Sequence, residues 1–526
     1  MTAPARAPCD PGVIRAARPG PGVSPRARRW VLVATVLGSS LAFIDGSVAN
    51  LALPRLQTAF DADIASVQWV VESYALLLSA LLLAGGALGD RFGRRRVFAL
   101  GTGLFGAASI ACGLSPGIGP LVAARAVQGV GGALLVPGSL ALISAAFDER
   151  ARGRAIGIWS GFSAMSAGLG PIIGGWLIEQ FSWRWAFLIN APLAAAVVAI
   201  ALLHVPESRD PDAPPRLDWT GALLVTLGLG GVVYGLIESQ RDGFAAPRIL
   251  LALGAGLVLL VLFIGVERRA PHPMLPLSLF RSRAFAGANL LTLFLYAGLS
   301  AVFFFLPFAL IQVHGYTATR TGAALTPFIA IMFLLSRWSG GLVDRLGGRL
   351  PLIAGPLVAA AGFTGMALPG TGGSYWTTFF VPIVVLGLGM AISVAPLTTV
   401  VMGAVETRHA GTASGINNAV SRTAGLLAIA ALSVAVSATF DRHLDAALPA
   451  LHLTPAAAQR VAAERSQLAG MSVDPDLDAS TREDLRRAID EAFIAAFRVV
   501  ALLSALLAVA SAAVAWRSID GRRKTG

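Results

Sequence analysis

The chain has 526 residues, of which 55% are hydrophobic and 13% are charged, with a formal net charge of +12. Its mean hydropathy is +0.71. A soluble domain carries about 25% charged residues, so this composition excludes an ordinary soluble protein. The arginines lie mainly in short loops between apolar runs, where they set membrane topology, and this placement argues against a nucleic-acid partner.

Lysine and cysteine are scarce, and their positions exclude further classes of function. Lys524 is the only lysine, so the chain carries no P-loop lysine beside nucleotide phosphates. Any transport must therefore draw on an ion gradient or on an external partner. Cys9 and Cys112 lie in the N-terminal tail and in an apolar run, which favours neither a structural disulfide nor a metal cluster. We expect no enzyme active site, no metal and no cofactor.

In chain order, fourteen apolar runs are long enough to span a bilayer. They are residues 30–52, 67–88, 97–115, 119–146, 153–177, 184–203, 217–238, 248–266, 284–312, 321–343, 350–369, 376–403, 411–437 and 492–516. The even number places both termini on one side, and the Arg-rich tails and loops of that side predict that it is cytoplasmic. We predict an all-α polytopic membrane protein.

A long polar segment, 438–491, separates the last two runs on the outer side. Thr454-Pro455 is a helix-start signal, and Ser480 with Glu483 forms a capping-box pattern before the last run. These signals predict an amphipathic helical loop that covers the outer face. Its role is open between shielding and substrate gating.

One charged stretch occurs twice. GGALGDRFGRRR (85–96) returns as SGGLVDRLGGRL (339–350), about 255 residues later, and such spacing indicates two homologous halves, a common plan of transporters. The matched pairs are Asp90 with Asp344, Arg91 with Arg345, Gly93 with Gly347 and Arg95 with Arg349.

This stretch resembles motif A, the loop between spans 2 and 3 of the major facilitator superfamily, and the resemblance covers essentially the whole chain after the tail. Twelve-span members have six spans between the equivalent loops, whereas eight lie here, so a pair at about 217–238 and 248–266 is inserted. That arrangement is similar to the fourteen-span drug:proton antiporters, the EmrB/QacA-like group. LAFIDGSVANLALPRL (41–56) and DWTGALLVTLGLG (218–230) resemble that group's first span and extra pair.

The resemblance implies a major facilitator fold of two six-helix halves plus an inserted helix pair. The expected divisions are a disordered basic cytoplasmic tail at 1–29, the first bundle at 30–203, the inserted pair with its linkers at 204–283, the second bundle at 284–516 and a basic tail at 517–526. Substrate is expected at the interface of the halves near the midplane.

Two glycine-rich motifs are implied to serve conformational change. Motif A is expected to latch the halves together at the cytoplasmic side in the outward-facing state. Its residues are Gly86, Gly89, Asp90, Arg91, Gly93, Arg94 and Arg95, with Asp344, Arg345 and Arg349 in the repeat.

A second motif lies in the fifth apolar run and resembles the antiporter signature, motif C. It is GFSAMSAGLGPIIGGW (161–176), with Gly168, Gly170, Pro171, Gly174 and Gly175. From the residues alone, the alternative is ordinary packing of small residues between helices, with a kink at Pro171. The resemblance favours antiport over symport.

Three charged residues are predicted to converge in the outer half of the membrane. Asp45 lies ~22 Å along span 1, and Glu72 and Arg125 lie ~8 Å from the outer ends of spans 2 and 4. An ionised side chain there costs ~2.5–3.5 kcal/mol and usually faces a cavity or a partner. RAVQGVGGAL (125–134) resembles motif B, whose arginine is linked to proton transfer.

We hypothesise that Asp45 and Glu72 respond to protons and that Arg125 sets their proton affinity. An acid at Glu72 also favours cationic drugs. Structural roles stay open for all three: a hydrogen-bonded Asp45, a Glu72 solvated near the headgroups and an Arg125 that clamps helices. Further candidate cavity residues are Gln128, Asn417 and Arg422.

The sequence therefore predicts a proton-coupled antiporter that exports hydrophobic or cationic drugs, with small molecules, protons and the bilayer as partners and a monomer as the working unit. Arginine-rich, Ala- and Gly-rich composition indicates a GC-rich bacterial genome, which places the protein in a bacterial inner membrane. The alternatives are a dedicated exporter of one metabolite or antibiotic, a symporter, and a membrane sensor or scaffold that does not transport.

Overall fold

The computed structural model describes residues 23–210, 217–406 and 410–519. Within these ranges, fourteen helices are long and apolar enough to cross a membrane, which confirms the predicted number of spans. Helices suit this environment because they satisfy their backbone hydrogen bonds internally. Most of the predicted tail at 1–29 and most of that at 517–526 lie outside the described residues. The long helices are numbered α1 to α14, and the side on which α1 begins and α14 ends is called the near side.

The first six long helices form the first half. They are α1 Pro25–Ala59, α2 Ile64–Phe92, α3 Arg94–Gly113, α4 Ile118–Ala146, α5 Glu149–Gln180 and α6 Asn190–His204, the last preceded by the short helix Trp185–Leu188. The inserted pair is α7 Trp219–Asp242 and α8 Pro247–Glu267, which pack on each other.

The second half repeats the plan with more interruptions. Its helices are α9 Arg283–Phe308 with a π-helical end Ala309–Val313, α10 Thr326–Gly340 between the short helices Ala318–Ala324 and Leu342–Leu346, α11 Arg349–Met366, α12 Phe380–Gly403 after Tyr375–Thr378, α13 Ala410–Ala447 and α14 Ala479–Ser518. Polar N-caps start several of these helices where the apolar runs begin. They are Ser24, Asp63, Asp148, Asp218 and Ser282.

The repeated charged loop has the same backbone turn in both halves. Gly93 has φ +116° and Gly347 has φ +77°, both in the region that favours glycine. Gly93 ends α2, and Gly347 ends the short helix Leu342–Leu346. The repeat found in the sequence therefore marks equivalent turns.

The polar segment on the far side differs from its prediction. α13 continues to Ala447 and α14 starts at Ala479, so both helices extend beyond the apolar runs 411–437 and 492–516. The short helix Pro455–Glu464 has Thr454 as its N-cap, which confirms the predicted helix start. The predicted capping box at Ser480 is wrong, because the N-cap of α14 is Asp478, which accepts a hydrogen bond from the Thr481 amide at 2.9 Å. Hydropathy marks where a helix leaves the membrane, whereas capping marks where it ends.

Candidate functional site

A buried ion pair joins α1 and α4 inside the first half. Arg125 donates from Nη1 to Asp45 Oδ2 at 2.6 Å, and each residue is only 1% exposed. Arg125 also donates from Nε to the carbonyl oxygen of Val70 on α2, at 2.9 Å. One guanidinium therefore connects three helices. A salt bridge this deep is stable only while both charges stay compensated.

Neutral polar groups complete this cluster. The second carboxylate oxygen, Asp45 Oδ1, accepts from Gln128 Nε2 at 2.8 Å and from Asn190 Nδ2 at 3.0 Å. Gln128 Oε1 accepts from Arg125 Nη1 at 2.8 Å, which fixes the orientation of the amide. Ser109 accepts from both amides, at 3.3 and 3.1 Å. Both Asp45 oxygens and the facing guanidinium are thus hydrogen-bonded.

Aromatic rings cover the guanidinium. The Arg125 Cζ atom lies 4.3 Å from the ring centroid of Tyr74 and 5.6 Å from that of Phe187, distances at which cation–π attraction operates. These faces exclude water while they compensate part of the charge. The buried centre therefore holds its charge pair in a dry site.

The sequence predicted Asp45, Arg125 and Gln128 but missed Asn190, Ser109 and Tyr74. Asn190 was detectable, because an amide inside the apolar run 184–203 needs a buried partner. Ser109 and Tyr74 carry no such signal, since both residue types are common in membrane helices. Gln128 belongs to the buried charge centre and has almost no exposed surface.

Glu72 lies apart from this centre. Val70 and Tyr74, which contact Arg125, point to the opposite side of α2, because residues two apart on a helix are separated by about 200°. Glu72 is 0% exposed. Of the three charges predicted to lie at one depth, the structure brings Asp45 and Arg125 into contact and places Glu72 on another helix face.

The motif A loop bonds within the first half and to the linker after α6. Asp90 Oδ1 accepts from Arg94 Nε at 2.8 Å, and the Asp90 carbonyl accepts from the Asp210 amide at 3.0 Å. Glu207 Oε1 accepts from the Arg95 amide at 3.0 Å, and Glu207 Oε2 lies 3.6 Å from Arg96 Nε.

The rest of the motif A set is more dispersed. Gly86 and Gly89 have room around them, with nearest neighbours at 3.5 and 4.0 Å from an added Cβ. Arg91 and Arg345 are exposed. Arg349 lies over the Trp516 ring at 5.9 Å. The Asp344 side chain lies outside the part of the chain that the structure describes.

Motif C forms a close helix–helix interface between the halves on the far side. A Cβ at Gly175 would collide with the Ala318 carbonyl, and one at Gly168 would lie 2.7 Å from Ile329 Cγ2. The Pro171 carbonyl sits against Gly322 in the same way. The other two glycines, Gly170 and Gly174, face Ser47 and Val48 on α1. At the far end of α5, Glu179 Oε2 accepts from the Thr319 amide at 3.2 Å. The halves therefore touch backbone to backbone at this end.

The second-half candidates face different neighbours. Asn417 Nδ2 donates to Thr292 Oγ1 at 2.7 Å and to Asn289 Oδ1 at 3.2 Å, both on α9. Arg422 Nε donates to Asn418 Oδ1, one turn earlier on α13, at 3.2 Å. Within the described residues, no group of three or more His, Cys, Asp or Glu side chains is placed to hold a metal ion.

Comparison with known proteins decides the family. The model of the Major Facilitator Superfamily matches residues 35–429. The chain belongs to the Major Facilitator Superfamily. Within that superfamily, "Multidrug resistance protein Stp" of Mycobacterium tuberculosis (strain CDC 1551 / Oshkosh) is 37% identical over 433 residues, covering 81% of this chain and 79% of the relative. "Tetracenomycin C resistance and export protein" of Streptomyces glaucescens is 32% identical over 497 residues, covering 93% and 91%.

Solved structures of Major Facilitator transporters share the fold. A bacterial homolog of the human lysosomal transporter Spinster, in an inward-facing and unoccupied conformation, superposes with a TM-score of 0.66 at 16% identity, covering 95% of this chain and 99% of that one. The inward-open xylose transporter XylE from E. coli gives 0.57 at 15% identity, covering 95% and 98%. The predicted fold class, with two six-helix halves and an inserted pair, is confirmed as a fourteen-helix Major Facilitator fold.

Proposed function

We propose that this multi-pass membrane protein exports drugs in exchange for protons, and that the Asp45–Arg125 pair is the proton-coupling centre. Its relatives are named for multidrug resistance, for antibiotic resistance and for export. The proposed coupling step rests on one observation. The Asp45 carboxylate and the Arg125 guanidinium are in direct contact, and each residue is 1% exposed. Ionisable residues that pair inside membrane helices mark ion pathways and proton relays.

In the proposed cycle, Asp45 Oδ2 alternates between an ion pair with Arg125 and a bound proton. When a proton binds Asp45 Oδ2, that oxygen no longer attracts Arg125, and the guanidinium keeps the Gln128 amide oxygen, the Val70 carbonyl and the Tyr74 ring as partners. When the proton leaves, the ion pair forms again. Because Arg125 joins α1, α2 and α4, this change alters how three helices of the first half are held together.

We propose that the near side is cytoplasmic and that the membrane is a bacterial inner membrane, since the loops of that side carry the arginines. The substrate class is lipophilic and often cationic, and the working unit is a monomer. Transport is the activity, with no chemical conversion of the substrate. A dedicated exporter of one metabolite or antibiotic is the second candidate, because one relative is named for tetracenomycin C alone.

The test is proton release from acidified proteoliposomes when ethidium or tetracenomycin C is added. Wild type is expected to release protons and Asp45→Asn is expected to release none. Glu238→Gln is the matched control, because it removes a carboxylate that pairs with Arg241 at 3.0 Å on α7, away from the centre. Release by Asp45→Asn at the wild-type level would refute the assignment of the centre. No release by wild type with either class of compound would refute proton-coupled export.

A further inference from the structure

Glu72 lies on a face of α2 that leaves the first half. Ala65, Gln68, Leu76 and Leu83 fall within about 40° of Glu72 around the helix, given 100° per residue. Ala65 and Leu76 pack in one apolar cluster with residues of α7 and α13. These partners are Leu229, Val233 and Ile237 on α7 and Leu426 and Ala430 on α13. The face that bears Glu72 is thus the one that meets the inserted pair and the second half.

Polar bonds join the same three helices one turn further toward the far side. Gln240 on α7 donates from Nε2 to Gln68 Oε1 at 3.3 Å, and Ser437 on α13 donates to Gln240 Oε1 at 3.0 Å. Toward the near side, an added Cβ at Gly415 of α13 would lie 3.4 Å from Leu83. Glu72 therefore lies between these contacts, in a seam where the first half, the second half and the inserted pair meet.

A negative charge on the Glu72 carboxyl group would have no hydrogen-bond donor to stabilise it among the described residues of this seam. Neither oxygen has a hydrogen-bond partner among the residues that the structure describes, and the side chain is 0% exposed. A buried ionised carboxylate without partners is far costlier than the neutral acid, so the closed seam accommodates only the protonated form.

Among the described residues, none of the charged and titratable groups on the neighbouring helices forms a hydrogen bond with the Glu72 carboxyl group. On α7, Glu238 accepts from Trp69 Nε1 at 2.9 Å and pairs with Arg241, while Tyr234 packs against Trp69. On α13, Arg422 bonds to Asn418. On the other side of α2, the guanidinium of α4 is paired with the carboxylate of α1. Protonation is therefore the way in which this site can lose its charge.

We propose that Glu72 is a second proton-binding site, separate from the Asp45–Arg125 centre, and that a proton on Glu72 is required for the seam between the halves and the inserted pair to close. The proposal deepens the proposed proton coupling and rests on it for its place in a transport cycle. When the halves part at the far side, α13 leaves α2 and the carboxyl group meets water, where a glutamate ionises above about pH 4. Closure then takes up a proton.

The experiment measures the opening of the far side without any drug. Spin labels at Gly119→Cys and Gly370→Cys report the separation of the halves. Gly119 lies in the first turn of α4 and Gly370 in the loop after α11, both at the far side and with open space around them. Cys9 is replaced by Ser, and Cys112 is buried. The distance is measured by electron–electron double resonance from about pH 5 to about pH 8, in nanodiscs. By linkage, the open-to-closed ratio of wild type is expected to rise by up to roughly tenfold per pH unit.

The variants separate the two proton sites. Glu72→Gln is expected to stay closed at every pH, since the amide carries no charge, and Asp45→Asn is expected to keep a pH-dependent opening. Asp484→Asn, which removes an exposed carboxylate that pairs with Arg487 on α14 at 3.2 Å, should follow wild type. Glu72→Asp should restore the pH dependence if Glu72→Gln is poorly folded. Wild-type pH dependence in Glu72→Gln, or its loss in Asp45→Asn alone, would overturn the proposal. Because no drug is present, these results do not depend on whether the protein exports the chosen drug.

Discussion

Substitution of Asp45 by Asn is expected to destabilise the protein through one misplaced amide group. Asp45 Oδ1 accepts from two amides, Gln128 and Asn190, so the Asn oxygen takes that position and the Asn NH2 replaces Oδ2. That NH2 then faces Arg125 Nη1, at a contact that is 2.6 Å in the wild type. If the Asn side-chain amide is flipped, its NH2 group instead faces the NH2 groups of Gln128 and Asn190, which are also donors. Gln128 cannot turn to compensate, because its oxygen already accepts from Arg125.

The magnitude follows from the charge that is left behind. Breaking a buried ion pair by removing one partner costs about 3–5 kcal/mol. Since 1.4 kcal/mol is a factor of ten, the unfolding equilibrium should shift by about two to three and a half orders of magnitude. Arg125→Gln alone should cost a similar amount, because it leaves the carboxylate unpaired. The double variant removes both charges. Its loss of unfolding free energy should therefore be smaller than the sum of the two single losses by about 2 kcal/mol or more.

The assay is reversible unfolding in mixed micelles, with all four proteins measured as a double-mutant cycle. A matched control is the pair Arg28–Asp148, which is 3.5 Å apart with side chains 31% and 48% exposed. A cycle of Arg28→Gln and Asp148→Asn should give a coupling below about 1 kcal/mol. If the two buried substitutions add within ~0.5 kcal/mol, the direct contact does not hold this centre together and the reasoning fails.

Two further predictions concern the far side. Gly322→Val should destabilise the closed far side by about 1–3 kcal/mol, because the valine side chain would press against the Pro171 carbonyl. The distance between the far-side spin labels should therefore lengthen. Gly254→Val on α8, where an added Cβ meets nothing within 4 Å, should leave that distance unchanged. For Asp63, burial alone would raise the pKa, but the hydrogen bonds and charge of Arg241 bring this pKa below its usual value. The unfolded state therefore binds the proton more readily, so this contribution to stability is complete above about pH 4 and is lost as pH falls through the folded-state pKa. Thermal midpoints measured from about pH 6 to about pH 3 should fall less steeply in Asp63→Asn than in wild type, and an equal slope would contradict the assignment.

The sequence predicted the parts of this protein that depend on periodicity and repetition. Apolar length set the number of spans, and the recurrence of Asp90-Arg91 as Asp344-Arg345 identified the two halves of the chain. Depth counting along α1 and α4 was sufficient to place Asp45 near Arg125, because both helices cross the same membrane and an unpaired charge there is costly.

Depth alone, however, does not specify which way a side chain faces. Glu72 lies at a depth similar to that of Arg125 but on the face of α2 that packs against α7 and α13. Its orientation depends on which helices are neighbours, and no single sequence records that. For the same reason the linker residue Glu207, which bonds to the Arg95 amide, was not predicted. Its partner lies 112 residues earlier in the chain, and nothing in its local sequence distinguishes it from an ordinary solvated acid.

The bonds of the inserted pair indicate which half it follows when the two separate. α7 is attached to α2 by charged groups: Arg241 donates to Asp63 Oδ2 at 2.6 Å, and Trp69 donates to Glu238 at 2.9 Å. Its polar bond to α13 is the neutral one from Ser437, at 3.0 Å. Charge-assisted hydrogen bonds are roughly twice as strong as neutral ones, so α7 should stay with the first half. The seam around Glu72 then opens along α13, and the same movement that separates the halves exposes this carboxyl group to water.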